Sequence, residues 1–133
     1  MRKGILLFTC LLFTAMLAVA QDAYRALSRY DYYTDEEKVS VAVWVPQSKE
    51  NAASSLEISF DGEIVLRGAK LDPGQVNVFD IPAGNMQQGL NELNVSYMEH
   101  GKPVGSDRVI IKILPEHFNA VKIDRLSGGL IVE

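Results

Sequence analysis

The chain reads as an all-β protein: an immunoglobulin/fibronectin-III-like antiparallel β-sandwich of about seven strands, preceded by a signal-peptide helix and followed by a short β-hairpin. Three observations predict this. Apolar residues recur with a period of two, as in Val39, Val41, Val43 and Val45, which gives an extended strand one apolar face. Turn-forming residues interrupt these runs at intervals of about 8–12 residues. No amphipathic helix of useful length is evident, so the cover for an apolar sheet face has to be a second sheet.

The N-terminus comes first in chain order. Arg2 and Lys3 precede the apolar run from Gly4 to Leu17, and Ala18, Val19 and Ala20 form the small-x-small pattern of a signal-peptidase site. Residues 1–20 are therefore expected to be a cleaved signal peptide, and the protein to be secreted, periplasmic or at the cell surface. The run is shorter than the ~20 apolar residues of a spanning helix, so no stable membrane span is expected. Cleavage removes 20 of 133 residues and leaves 113, enough for one domain with a real core. It also removes Cys10, the single cysteine, so neither a disulfide framework nor a thiolate metal site is available. Losing Arg2 and Lys3 takes the basic count from 13 to 11 against 17 acidic residues, a formal charge of −6. With no basic cluster, nucleic acid is an unsuitable partner.

The sandwich is assigned to residues 21–114. Tyr24 to Tyr33 is expected to form a first edge strand, and Val39 to Val45 the next. Leu56, Ile58 and Phe60 alternate with polar residues, Asp61 and Gly62 supply a type I′ turn, and Glu63 to Arg67 returns as the partner strand. Asp72, Pro73 and Gly74 make a turn before Gln75 to Ile81. After a loop from Asn85 to Gly89 comes the strand Leu90 to Glu99, with Leu93, Val95 and Tyr97 on one face. His100 to Pro103 turns into the longest strand, Val104 to Leu114, whose Val109, Ile111 and Ile113 share a face.

Residues 115–133 are assigned to a linker and the start of a hairpin that is truncated or docks elsewhere. Val121 to Leu126 is expected as its first strand, Gly128 and Gly129 as its turn, and Leu130 to Val132 as a return strand. A hairpin opened so near the last residue has little left to cover it. The expectation is that it either self-associates through an unpaired edge or stays mobile.

The run from Val121 to Glu133 resembles the hairpin that joins an N-terminal β-sandwich to a (β/α)8 barrel in secreted glycoside-hydrolase-like proteins. The stretches Tyr30, Asp31, Tyr32, Tyr33 and Gly89, Leu90, Asn91, Glu92, Leu93, Asn94, Val95 are similar to the sandwich modules of such enzymes. The resemblance implies a non-catalytic accessory domain that packs against and orients a catalytic barrel absent from this chain. A barrel of that kind needs roughly 250 residues.

No catalytic residue and no cofactor are assigned. Glycoside hydrolysis needs two carboxylates across a sugar-sized cleft, whereas Asp61, Glu63, Asp72, Glu92, Glu99 and Asp107 fall in turns or on expected solvent faces. His100 and His117 lie on separate loops and make no metal site. The sequon at Asn94 falls inside a strand.

Three residues are candidate ligand contacts. Trp44 faces away from Val41, Val43 and Val45. Its indole is free to stack on a sugar ring, pack under a loop, cover a neighbouring domain, or be core if the strand is buried on both sides. Tyr30 and Tyr32, placed on one face of the first strand, form either a platform or ordinary packing. The alternative function is accordingly a free-standing module that binds a polysaccharide or a protein. A small enzyme in its own right is the least favoured reading.

Overall fold

A computed structural model of the chain describes residues 23–116, 121–127 and 130–132. The expected signal peptide, His117 and the Gly128, Gly129 turn lie outside the described residues. Nine strands are described: β1 (Arg25–Ser28), β2 (Lys38–Val45), β3 (Ser54–Phe60), β4 (Glu63–Lys70), β5 (Gln75–Pro82), β6 (Gly89–Glu99), β7 (Lys102–Ile113), β8 (Val121–Ile123) and β9 (Leu130–Val132). The first seven form two antiparallel sheets, ordered β1-β2-β5 and β4-β3-β6-β7. The last two pair with each other, Val121 opposite Val132.

The core lies between the two sheets. Val39, Val41, Val43 and Val45 point inward from β2, Leu56 and Ile58 from β3, Leu93, Val95 and Tyr97 from β6, and Val109, Ile111 and Ile113 from β7. Each fully buried aliphatic side chain contributes roughly 1.5–3 kcal/mol. The period-two pattern therefore does what it predicts, because a strand alternates its side chains between faces.

Turn chemistry is equally direct. Asp61 and Gly62 have φ of 51° and 81°, and His100 and Gly101 of 51° and 77°. Both pairs are left-handed, as a two-residue I′ hairpin requires. The second turn is tighter than the sequence suggests, since Lys102 and Pro103 already belong to β7. Strand β4 likewise runs past Arg67 to Lys70, with register shifts against β3.

One expectation is corrected. The first strand does not reach Tyr33. It ends at Ser28, after which Tyr30 and Tyr33 make only isolated bridges, to Asp124 and to Ile113 respectively. Segment 29–36 leaves the sheet because Tyr33 turns into the core and its hydroxyl donates to the Ser40 carbonyl at 2.9 Å. The end of β8 and the residues after it are hydrogen-bonded to the segment that follows β1. The Asp31 amide donates to the Ile123 carbonyl at 3.3 Å and the Arg125 amide to the Arg29 carbonyl at 2.8 Å. The Ile123 amide in turn donates to Asp31 Oδ1 at 2.9 Å.

Candidate functional site: an apolar sheet face and an inverted hairpin

The outer faces of the two sheets differ in chemistry. On the four-stranded sheet, Glu57 pairs with Arg67 and Glu92 with Arg108, each at 3.4 Å, and Asn94 and Lys112 are exposed, a mixed face on which Ile64, Leu90 and Ile110 stand among charged and polar residues. The three-stranded sheet carries a contiguous apolar stretch on its outside, next to the polar Ser40–Asp80 pair. Strand register lines up Arg25, Trp44 and Val76 in one row and Leu27, Ala42 and Val78 in the next. Leu27, Trp44, Val76 and Val78 are all exposed large hydrophobics. Leu126 and Arg125 from the hairpin extend the same groove at its β1 side.

Trp44 is thus outward, as its alternation with the valines predicts, and 39% exposed. Polar groups near it are engaged in the fold. Asp107 Oδ2 accepts from the Ala26 amide at 3.2 Å and from the Tyr97 hydroxyl at 2.5 Å, which ties β1 across the seam to β6 and β7. Arg125 donates to the Ser28 carbonyl at 3.0 Å. At the end of the same seam Tyr24 stacks on Tyr97 with centroids 4.7 Å apart, and its hydroxyl meets Ser54 at 2.6 Å and Glu99 at 3.0 Å. Lys49, 3.0 Å from Glu99, is the main influence holding that carboxyl below its ordinary pKa.

Tyr30 and Tyr32 do not form a shared strand face. Together with Tyr33 they surround a cation of the chain itself. The Lys122 ammonium lies 5.3, 6.0 and 5.8 Å from the ring centroids of Tyr30, Tyr32 and Tyr33, within the range of cation–π attraction. Glu36 pairs with the same ammonium. Tyr33 meets Tyr30 edge-on at 5.8 Å, which stiffens the cage.

The cage inverts the hairpin. Lys122 and Asp124 are 4% and 6% exposed, whereas Val121 and Ile123 are 47% and 46% exposed. From Val121 to Asp124 the charged residues face the sandwich and the aliphatic ones face out, the reverse of the usual rule. Asp124 is gripped by Arg29, and the Arg29 hydrogen bonds lower its pKa from 3.8 to about 2. Periodicity carries no signal of this inversion, because alternation marks two faces without saying which is inside. Three tyrosines and Glu36 within seven residues are the only hint.

The carboxylates singled out from the sequence lie on separate parts of the fold: Asp61 and Asp72 at turns, Glu63 at the start of β4, Glu92 and Glu99 in ion pairs, and Asp107 in the seam. Among the described residues no three His, Cys, Asp or Glu side chains gather as metal ligands. No helix among them is long and apolar enough to cross a membrane. These features define an all-β fold of two antiparallel sheets, consistent with a sandwich, with an exposed apolar groove on one of them. No protein-family model, curated protein or solved structure matches the chain.

Proposed function

We propose that the chain is a non-catalytic accessory β-sandwich of an exported protein, of fibronectin-III-like type, that packs against a second folded domain and orients it. The β1-β2-β5 and β4-β3-β6-β7 strand orders support that type. The inverted hairpin carries the docking reading. A hairpin that buries Lys122 and Asp124 while exposing Val121 and Ile123 leaves its aliphatic side for another surface. Leu126, a few residues further along the chain, lines the apolar groove at Trp44. Exposed Arg25 and Arg125 beside the groove suit a partner whose apolar patch is edged with carboxylates. The resemblance to sandwich modules of glycoside-hydrolase-like proteins supplies the partner class, a (β/α)8 barrel.

A free-standing glycan-binding module is the second reading, favoured by the exposure of Trp44. Sugar sites combine a planar ring with converging polar groups. Trp44 is flanked in its row by Arg25 and Val76, with Leu27, Ala42 and Val78 in the next row, and the groove's Asp107 and Arg125 are already hydrogen-bonded within the fold, so a protein surface fits better.

The test begins with the coding sequence beyond Glu133. Any domain it encodes is produced separately and titrated by calorimetry with residues 21–133. Binding that is lost in Val76→Asp and in Ile123→Asp is the expected result. Absence of an encoded domain, or binding indifferent to both substitutions, overturns the accessory reading. Retardation of the wild type but not Trp44→Ala in a polysaccharide gel would transfer the assignment to glycan recognition.

A further inference from the structure

The geometry points to a latch: Lys122, seated among Tyr30, Tyr32, Tyr33 and Glu36, is the residue that fixes which face of the C-terminal hairpin is presented. Strands alternate with a period of two, so the same hairpin turned over would bury Val121 and Ile123 and expose Lys122. The hydrophobic effect alone favours that turned-over arrangement. It is opposed by a cation held at 5.3, 6.0 and 5.8 Å from three ring centroids and paired with Glu36. Arg29 on Asp124 acts in the same sense two residues further on, just past the end of β8. Both cations lie over Tyr30, since the Arg29 guanidinium is 5.2 Å from that ring and the Lys122 ammonium 5.3 Å. Tyr30 is therefore the shared element of the latch.

The cage is itself rigidly placed. The Tyr33 amide donates to the Lys112 carbonyl and the Leu114 amide to the Tyr33 carbonyl, both at 2.8 Å, which fastens it to β7. The Tyr33 hydroxyl fastens it to β2 through Ser40. The lysine thus transmits the position of both sheets to the hairpin. That the presented aliphatic face meets a partner rests on the docking reading above; the latch itself does not.

Trp44 offers a built-in reporter. It is the single tryptophan of the chain, and it lines one groove with Arg125 and Leu126 of the hairpin. The experiment compares residues 21–133 as wild type, Lys122→Met, Lys122→Arg and Glu36→Gln by amide exchange and Trp44 emission, with no partner present. In Lys122→Met, protection of the Ile123 and Arg125 amides is expected to fall by about tenfold or more, as for a local opening. Core amides such as those of Val41, Ile58 and Val95 keep their protection, and Trp44 emission shifts to the red. Lys122→Arg retains most of the protection, because a guanidinium is also held by aromatic faces. Glu36→Gln loses part of it. Unchanged Ile123 and Arg125 protection in Lys122→Met overturns the latch. So does an equal loss across the core, which would make the hairpin an inseparable part of the sandwich. Because no partner is used, failure here leaves the docking test standing, and the reverse.

Discussion

Arg29 grips Asp124 with a two-pronged hydrogen bond, Nε to Oδ1 at 3.2 Å and Nη2 to Oδ2 at 3.1 Å, between residues 95 apart in sequence. A guanidinium and a carboxylate match in this fork geometry, so the pair sets direction as well as attraction. It lies at the point where the chain leaving β1 meets the hairpin, and its consequences are local.

Acid should loosen the hairpin through this contact. The Asp124 pKa is lowered from 3.8 to about 2, first by the Arg29 hydrogen bonds and also by the Leu126 amide. A carboxyl depressed on folding stabilises the folded form above its ordinary pKa, and that contribution is lost as pH falls through the depressed value. Docking supported by Asp124 is therefore complete above pH 3.8 and disappears as pH falls through about 2. Ile123 and Arg125 amide protection, followed from pH 5 downward, should drop in this window. Asp124→Asn should show reduced protection already at neutral pH and no step in the window. A step that persists in Asp124→Asn would assign the acid sensitivity to other carboxyls.

Alkali should act at the opposite seam. Burial, followed by the hydrogen bond to Asp107, raises the Tyr97 pKa above its ordinary value of 10. Here the folded form holds a proton that the unfolded chain has released. Stability is full below pH 10 and declines as pH rises beyond it. Ultraviolet titration should show Tyr97 ionising only with unfolding. Tyr97→Phe removes a hydrogen bond to a charged acceptor and should cost about 1.5–3 kcal/mol in urea unfolding. A Tyr97→Phe protein as stable as the wild type would mean that Asp107 finds an equal partner in water.

The inner and outer sheet faces should differ in how much a substitution costs. Leu56 is fully buried between the sheets, and Leu56→Ala should destabilise by about 2–5 kcal/mol. Val76 lies on the outer face at the edge strand β5, so Val76→Asp should cost at most about 1 kcal/mol. Equilibrium urea unfolding of the two variants checks the contrast. A large loss for Val76→Asp would show that the apolar outer face is already covered within this chain.

The sandwich was legible in the sequence wherever burial and alternation coincide. Val39 to Val45, Leu56 to Phe60 and Leu90 to Glu99 mark strands whose apolar side has one possible destination. Asp61, Gly62 and Gly101 mark turns by what their backbones tolerate. The outward placement of Trp44 follows from the same parity. Tyr30 and Tyr32 were picked out as notable residues, yet their surroundings were not foreseeable: the lysine they enclose is about ninety positions away and carries no local signature.

By itself, then, the amino-acid order determined the strands, the tight turns and the presence of two apolar-faced sheets, because these depend on neighbours two to four positions apart. Only the tertiary structure decided where β1 stops, which side of the hairpin faces the sandwich, and that Asp107 closes the seam between the sheets. Those outcomes turn on contacts between distant segments, such as Lys122 with Tyr30 and Asp124 with Arg29. Cation–π attraction and paired charges there outweigh the burial of two aliphatic side chains, a balance that exists only once the segments have met.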